Sequence, residues 1–357
     1  MKRIRGVLLS IIIISFSITL ISCLTEEKSD SLLVYAKANG KYRKIRNAKS
    51  WNKRYEQILD SMQVVMGPLP DRTSKAELNL QNIEDTIING IRRIKLTFDV
   101  EGNDRVPAYL LIPENISIPV PGILCLHQTT QIGKGEPAGI AGNPNLDYAW
   151  ELAERGFVTI APDYPNFGDY KFDPYQNGYI SATMKGIRNH MAAVDLLQTL
   201  PQVDPERIGC IGHSLGGHNS LFVSAFDKRI KAVVTSCGFT SFSRYYNGDL
   251  KGWSHKGYMP LISSKYNTDP EKMPFDFPEI LAAIAPRPVF INAPLHDSNF
   301  DVTGVHDCVN AAIPVYKLFN AEDKIIIKTP DAPHDFPPGV REEAYLFFDK
   351  ELNMKNP

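Results

Sequence analysis

No block of like charge interrupts the 357 residues beyond the extreme N-terminus, and 39 Lys and Arg nearly cancel 40 Asp and Glu. A nucleic-acid partner, which needs a basic face, has no support. The five cysteines show no C-x-x-C spacing, so a structural zinc site is not indicated. Internal repeats and low-complexity tracts are also missing, which excludes solenoids and biased linkers. What remains is ordinary: 43% hydrophobic and 22% charged residues, with 26 Pro and 24 Gly. That composition suits one large globular domain with decorations.

The N-terminus departs from this average. Lys2, Arg3 and Arg5 precede an uncharged apolar run from Val7 to Ile21, the pattern of a signal peptide. The run is short for a bilayer crossing, which takes about 20 residues. It ends in Leu20-Ile21-Ser22-Cys23, which resembles a bacterial lipobox, so residues 1–22 are expected to be removed and Cys23 to carry lipid. Residues 23–50 are polar and read as a tether and irregular lead-in. The expected location is the bacterial cell envelope, on the periplasmic face or the cell surface. Of the other cysteines, Cys125, Cys210 and Cys237 lie in apolar, strand-like runs where cysteine serves as a small hydrophobe, and no bridge is expected among them and Cys308.

From residue 51 the chain reads as one domain to residue 357. Trp51, Tyr55, Ile58, Leu59 and Met62 have helical spacing that stops at Gly67-Pro68. Ile91 to Val100 and Val106 to Ile112 predict an antiparallel hairpin around Glu101-Gly102-Asn103-Asp104. After Pro121, apolar runs at 122–126, 158–162, 207–211, 232–236, 289–293 and 324–328 alternate with helical segments at 146–155, 180–200, 216–226, 304–319 and 340–352. Continuous apolar strands alternating with helices imply a mostly parallel, doubly wound α/β sheet. The stretch 239–286, rich in Tyr and Trp, follows 232–236, the sixth strand when the two of the hairpin are counted, and is too long for a simple connection. Its place above the carboxyl ends of the strands predicts a lid or substrate wall.

The sharpest motif is Gly212-His213-Ser214-Leu215-Gly216, with Gly217 after it. G-x-S-x-G between a strand and a helix puts a serine on a strained turn, with glycines where side chains would clash. Together with Leu126-His127-Gln128-Thr129-Thr130, the run Glu154 to Gly168, Ala285 to Phe290 and Pro333 to Pro337, it resembles the α/β-hydrolase superfamily over about residues 51 to 350. Within it, the similarity is to bacterial dienelactone-hydrolase-like and acetyl-xylan-esterase-like proteins. The dienelactone hydrolases proper carry a cysteine nucleophile where this chain has Ser214, so ester cleavage fits better.

The resemblance implies a triad in the order serine, acid, histidine. His334, just after the last strand and before the last helix, is the base it implies, because a serine hydroxyl needs a partner to take its proton. The acid belongs just past the seventh strand, where Asp297 is favoured over Asp301; the plainer reading of Asp301 is an N-cap. The oxyanion donors implied are the backbone N–H of Leu215 and, from the loop after the third strand, that of Thr129 or Gln128. Many relatives read His-Gly there. Gly133, Gly135, Gly139 and Gly142 suggest a flexible loop at the pocket and lack the spacing of a phosphate-binding fingerprint.

The expected function is therefore a serine carboxylic-ester hydrolase working through an acyl-enzyme, with no metal and no organic cofactor. Its expected partner is a small-molecule or oligosaccharide ester such as an acetylated xylan fragment, and its contact with the membrane is through the N-terminal lipid. A peptidase of the prolyl-oligopeptidase type and a binding protein that kept the fold without the activity are the alternatives.

Overall fold

The computed structural model describes residues 32–72, 77–102 and 104–354. Cys23 and the leader lie outside them. Among the described residues no helix is long and apolar enough to cross a membrane.

An antiparallel ribbon of β1 (Val34–Ala36) and β2 (Tyr42–Lys44) leads into helix α1 (Ala48–Met66). The helix starts where Asn47 and Ser50 form a reciprocal capping box, and it stops at Gly67, whose φ of 91° most residues avoid. Trp51, Tyr55, Ile58 and Met62 all turn inward as their spacing requires. Each such side chain contributes roughly 1.5–3 kcal/mol by leaving water.

Strands β3 (Gln81–Ile88), β4 (Ile91–Glu101) and β5 (Asp104–Pro113) form an antiparallel meander. They are followed by β6 (Val120–Leu126), α2 (Tyr148–Glu154), β7 (Val158–Pro162), α3 (Ala182–Thr199), β8 (Val203–His213), α4 (Leu215–Phe226) and β9 (Ile230–Ser236). Two helices then interrupt the rhythm, α5 (Leu261–Ser264) and α6 (Phe277–Ile284), before β10 (Val289–Asn292), α7 (Val302–Lys317), β11 (Ile325–Lys328) and α8 (Pro338–Glu351). One nine-stranded sheet runs β11-β10-β9-β8-β6-β7-β5-β4-β3, parallel from β11 to β7.

Both faces of the sheet are covered, as continuous apolar strands demand. Along β6, Leu124 and Leu126 enter the core formed with α1, α3, α4, α6 and α7, while Ile123 and Cys125 enter the smaller core under α2 and α8. Cys125, Cys210, Cys237 and Cys308 are all buried free thiols.

Two elements depart from the expectation. Strand β3 was not anticipated, because seven of its eight residues are exposed and an edge strand with water on both faces has no apolar period. The lead-in is also more ordered than a tether: the β1–β2 ribbon seals against α1 through Gln57, whose Oε1 accepts from the Ala36 N–H and whose Nε2 donates to the Ala36 carbonyl.

Candidate active site

The G-x-S-x-G motif forms the turn from β8 into α4. Ser214 adopts φ 52° and ψ −115°, and its N–H donates to the Ser236 carbonyl at 2.9 Å. Strain of this kind in a non-glycine residue marks a functional position. Its glycines are needed for space. A Cβ on Gly216 would lie 1.8 Å from the Leu126 carbonyl oxygen, and one on Gly212 would lie 2.1 Å from the Gly216 oxygen. The first turn of α4 thus abuts the end of β6, which brings Leu215 beside the loop that carries Gln128 and Thr129.

His334 and Asp297 sit on two loops beyond β11 and β10. These loops are pinned together, since the N–H groups of Leu295 and His296 donate to the carbonyls of Pro330 and Ala332 at 3.0 and 3.1 Å. His334 Nδ1 lies 2.9 and 3.0 Å from the two carboxylate oxygens of Asp297, whose side chain is 1% exposed. Burial pushes the Asp297 carboxyl up, but His334 and the N–H groups of Asn299 and Phe300 outweigh that and hold it below the usual carboxylate range. Asp301 is placed elsewhere: its Oδ1 caps α7, accepting from the Thr303 N–H at 2.7 Å.

The base loop is held from below as well. Asp335, next to His334, accepts from Asn292 Nδ2 through its carbonyl at 2.9 Å and from Asn143 and Asn145 through its carboxylate at 3.2 and 2.6 Å. Asn292 also donates to Ser236 Oγ, which bonds His213 Nδ1 at 2.9 Å. The His213 ring meets that of His334 edge-on, with centroids 4.9 Å apart. Burial and the neighbouring His334 depress the His213 pKa to about 3, so it stays neutral beside the base. None of these supports was anticipated from sequence, where single polar residues in loops and at strand ends carry no signal.

The loop after β6 is fixed by His127. The Tyr164 N–H, which can only donate, reaches His127 Nε2 at 2.9 Å. Nδ1 therefore carries the proton and donates to the Gln128 carbonyl at 2.6 Å. In a trans peptide the N–H opposes the C=O, so the Thr129 N–H is turned away from His127. The Gln128 side chain folds back onto Glu136 at 3.0 Å, and Thr129 Oγ1 lies 3.1 Å from Tyr258 of the 239–286 stretch.

The glycines of this loop serve close packing where flexibility was expected. A Cβ on Gly133 would lie 2.2 Å from an oxygen of Asp163, the buried carboxylate that holds Lys134 at 2.7 Å. Among the described residues, one trio of metal-binding side chains gathers its ligand atoms within 4.8 Å, namely Cys237, Asp297 and His334. Two of the three are already bonded to each other.

Residues 145–319 match the prolyl oligopeptidase family, a stretch that includes Ser214 and Asp297 and ends before His334. A Bacillus subtilis (strain 168) protein named as a hydrolase, YtaP, is 27% identical over 304 residues, covering 81% of this chain and 96% of its own. Carbohydrate esterase MZ0003, from an unknown prokaryotic organism, is 29% identical over 149 residues, covering 40% of this chain and 34% of its own. Among solved structures, a glucuronoyl esterase from Solibacter usitatus superposes with a TM-score of 0.70 at 19% identity, covering 90% of this chain and 97% of that one.

Proposed function

We propose that this chain, which has the α/β-hydrolase fold, is a serine carboxylic-ester hydrolase that acts on esterified carbohydrate. Ser214 Oγ attacks the ester carbonyl while His334 Nε2 takes its proton. Asp297 holds the imidazole in the required tautomer and stabilises its cation. The Leu215 and Thr129 N–H groups receive the oxyanion. His334 then protonates the leaving alcohol, and the acyl-enzyme is hydrolysed by a water that the same base activates. The cycle is redox-neutral and calls for no organic cofactor.

The observation that carries this reading is the two-oxygen contact of Asp297 with His334 Nδ1, together with the edge-on contact of the His334 ring with His213, the residue before the strained serine. A fluorophosphonate probe tests it. Ser214 should be labelled in the folded protein, and Ser214→Ala should take no label; absence of label in the wild type would favour a binding protein. The match to the prolyl oligopeptidase family supports a peptidase as second reading. A panel of acetylated xylan fragments, glucuronoyl esters and aminoacyl anilides separates the two, with anilide turnover above ester turnover selecting the peptidase. The carbohydrate assignment draws on the glucuronoyl esterase named above and on the carbohydrate esterase MZ0003.

His127 enters this mechanism as a positioning residue. His127→Asn keeps a donor near the Nδ1 position, whereas His127→Gln and His127→Ala do not. With p-nitrophenyl acetate, kcat should fall at least about tenfold in the Gln and Ala variants, below the roughly 10²–10³-fold cost of losing an oxyanion donor outright. KM should change little, and the Asn variant should recover most of the loss. Equal losses in all three would mean that the ring only packs.

Anchoring belongs to the same proposal. Cys23 as the mature N-terminus, bearing lipid, would hold the domain at the bacterial envelope. Mass spectrometry of the membrane fraction should find an acylated Cys23; cleavage elsewhere would remove the anchor.

A further inference from the structure

The corner of the molecule where the chain enters the fold carries positive charge that the ester chemistry does not use. From residue 31 to residue 55 there are eight basic residues and no acidic one, in a chain whose formal charge is −1. Arg54 pairs with Glu279, but among the described residues no carboxylate pairs with the other seven. Six of those seven, Lys41, Arg43, Lys44, Arg46, Lys49 and Lys53, are exposed. No long consecutive run announces them, because uncharged residues separate most of them, and the fold does the gathering. Strands β1 and β2 set Arg43 opposite Tyr35 and Lys44 opposite Val34, and Lys53 on α1 brings its Nζ to 5.3 Å from the centre of the Tyr35 ring. Tyr42, flanked by Lys41 and Arg43, is 52% exposed. Lys228, also exposed, adds its charge 4.1 Å from the centre of the Tyr55 ring.

The patch lies toward the end of the sheet away from the chemistry. Ser214, Asp297 and His334 follow the carboxyl ends of β8, β10 and β11. Trp51, Asn52 and Tyr55, near the start of α1, instead share a hollow with Lys228, Pro286 and Arg287, which precede the amino ends of β9 and β10. Helix α1 then climbs toward the other end, where the Met66 carbonyl accepts from Ser181 Oγ at 2.6 Å. The chain enters beside the start of α1, since the Leu33 carbonyl accepts from the Ile45 N–H at 2.7 Å, just before the cap at Asn47. Cys23 precedes Leu32 by nine residues, and a chain of that length spans at most about 30 Å. A lipid on Cys23 therefore keeps this corner within about 30 Å of a bilayer surface.

We propose that this corner docks on an anionic phospholipid bilayer and holds the mouth of the active site away from it. Phosphate-bearing headgroups supply the negative charge that the exposed cations lack, and each Lys or Arg near such a surface tightens binding about fivefold. The amphipathic Tyr42 ring among them suits the headgroup level. The tether offers no attraction of its own, since Glu26, Glu27 and Asp30 outnumber Lys28. The choice of a bilayer as the partner rests on the Cys23 anchor proposed above. A lipid alone leaves the domain free to turn on its tether, and the patch decides which end faces outward.

The test uses residues 24–357, the mature chain without its lipid, which keep every described residue, in sedimentation with vesicles. Binding to phosphatidylcholine vesicles with about 30% phosphatidylglycerol should be at least about 100-fold tighter than to phosphatidylcholine alone. It should be lost in about 1 M NaCl, where charges are screened beyond about 3 Å. Arg43→Gln, Lys44→Gln and Lys49→Gln together should weaken it by about 10- to 100-fold. Lys171→Gln, Lys251→Gln and Lys256→Gln together, all exposed and beyond the carboxyl ends of the strands, should leave it unchanged. Turnover of p-nitrophenyl acetate should be the same for both sets and for wild type, which shows that they fold, and should persist on saturating vesicles. No preference for phosphatidylglycerol, or equal weakening by the two sets, would overturn the docking surface. So would tighter binding to double-stranded DNA than to the vesicles. Turnover lost on the vesicles would place the mouth against the membrane and overturn the orientation. Mass spectrometry reads Cys23 separately: an unmodified Cys23 with the vesicle preference intact would remove the anchor and leave the docking surface, and an acylated Cys23 without that preference would do the reverse.

Discussion

Ser214→Ala should lower the kcat for ester hydrolysis by about 10⁶-fold, His334→Ala by as much, and the double variant by little more. The two side chains act as one unit, because without the base the hydroxyl keeps its proton and without the hydroxyl the base has nothing to activate. His213 offers no substitute. Although its ring touches that of His334, its Nδ1 is engaged with Ser236 and its pKa is depressed to about 3, so it is too weak a base to take over. Residual turnover in each variant, measured with p-nitrophenyl acetate against buffer alone, gives the answer. Losses that multiply independently, or near-wild-type turnover in Ser214→Ala, would defeat the covalent mechanism. Chelator sensitivity would then be examined first at Cys237, Asp297 and His334, whose ligand atoms lie within 4.8 Å of one another.

Asp297→Asn should cost on the order of 10⁴-fold in kcat, as the equivalent change does in serine proteases. The surroundings explain the size of the effect. Asp297 Oδ1 accepts from the N–H groups of Asn299 and Phe300 at 2.8 and 3.0 Å. An asparagine keeps its oxygen on those donors and so turns its NH₂ toward His334 Nδ1. The imidazole must then accept there and carry its proton on Nε2, where it cannot receive one from Ser214. Asp301→Asn should leave kcat almost unchanged, because asparagine caps a helix as well as aspartate does. Asp301→Ala should instead lower stability by about 1 kcal/mol through loss of the cap on α7, readable as a lower Tm. The reverse ordering of the two Asn variants would transfer the acid role to Asp301.

Strong local signals carried most of the fold. The parallel strands are apolar along most of their buried lengths and the helices periodic, so their limits lie within a few residues of those read from the chain. The motif around Ser214 is legible for the same reason: its glycines are demanded by backbone contacts that any such turn must make. Strand β3 was illegible because its pairing with β4 rests on main-chain hydrogen bonds, to which polar, exposed side chains add no pattern.

What the sequence determined by itself is the set of elements, their order and the serine at the end of β8, all consequences of periodicity and backbone sterics. The resemblance favoured Asp297 over Asp301, but the contact that turns one of these two nearby aspartates to His334 belongs to the tertiary structure. Asp297 and Asp301 differ little in sequence context, and only the pairing of residues 295–296 with 330–332 brings one carboxylate to the imidazole and leaves the other at the start of α7. The same holds for His127, which turns the Gln128 peptide. Their roles depend on contacts between remote segments, and such contacts exist only once the sheet has brought those segments together.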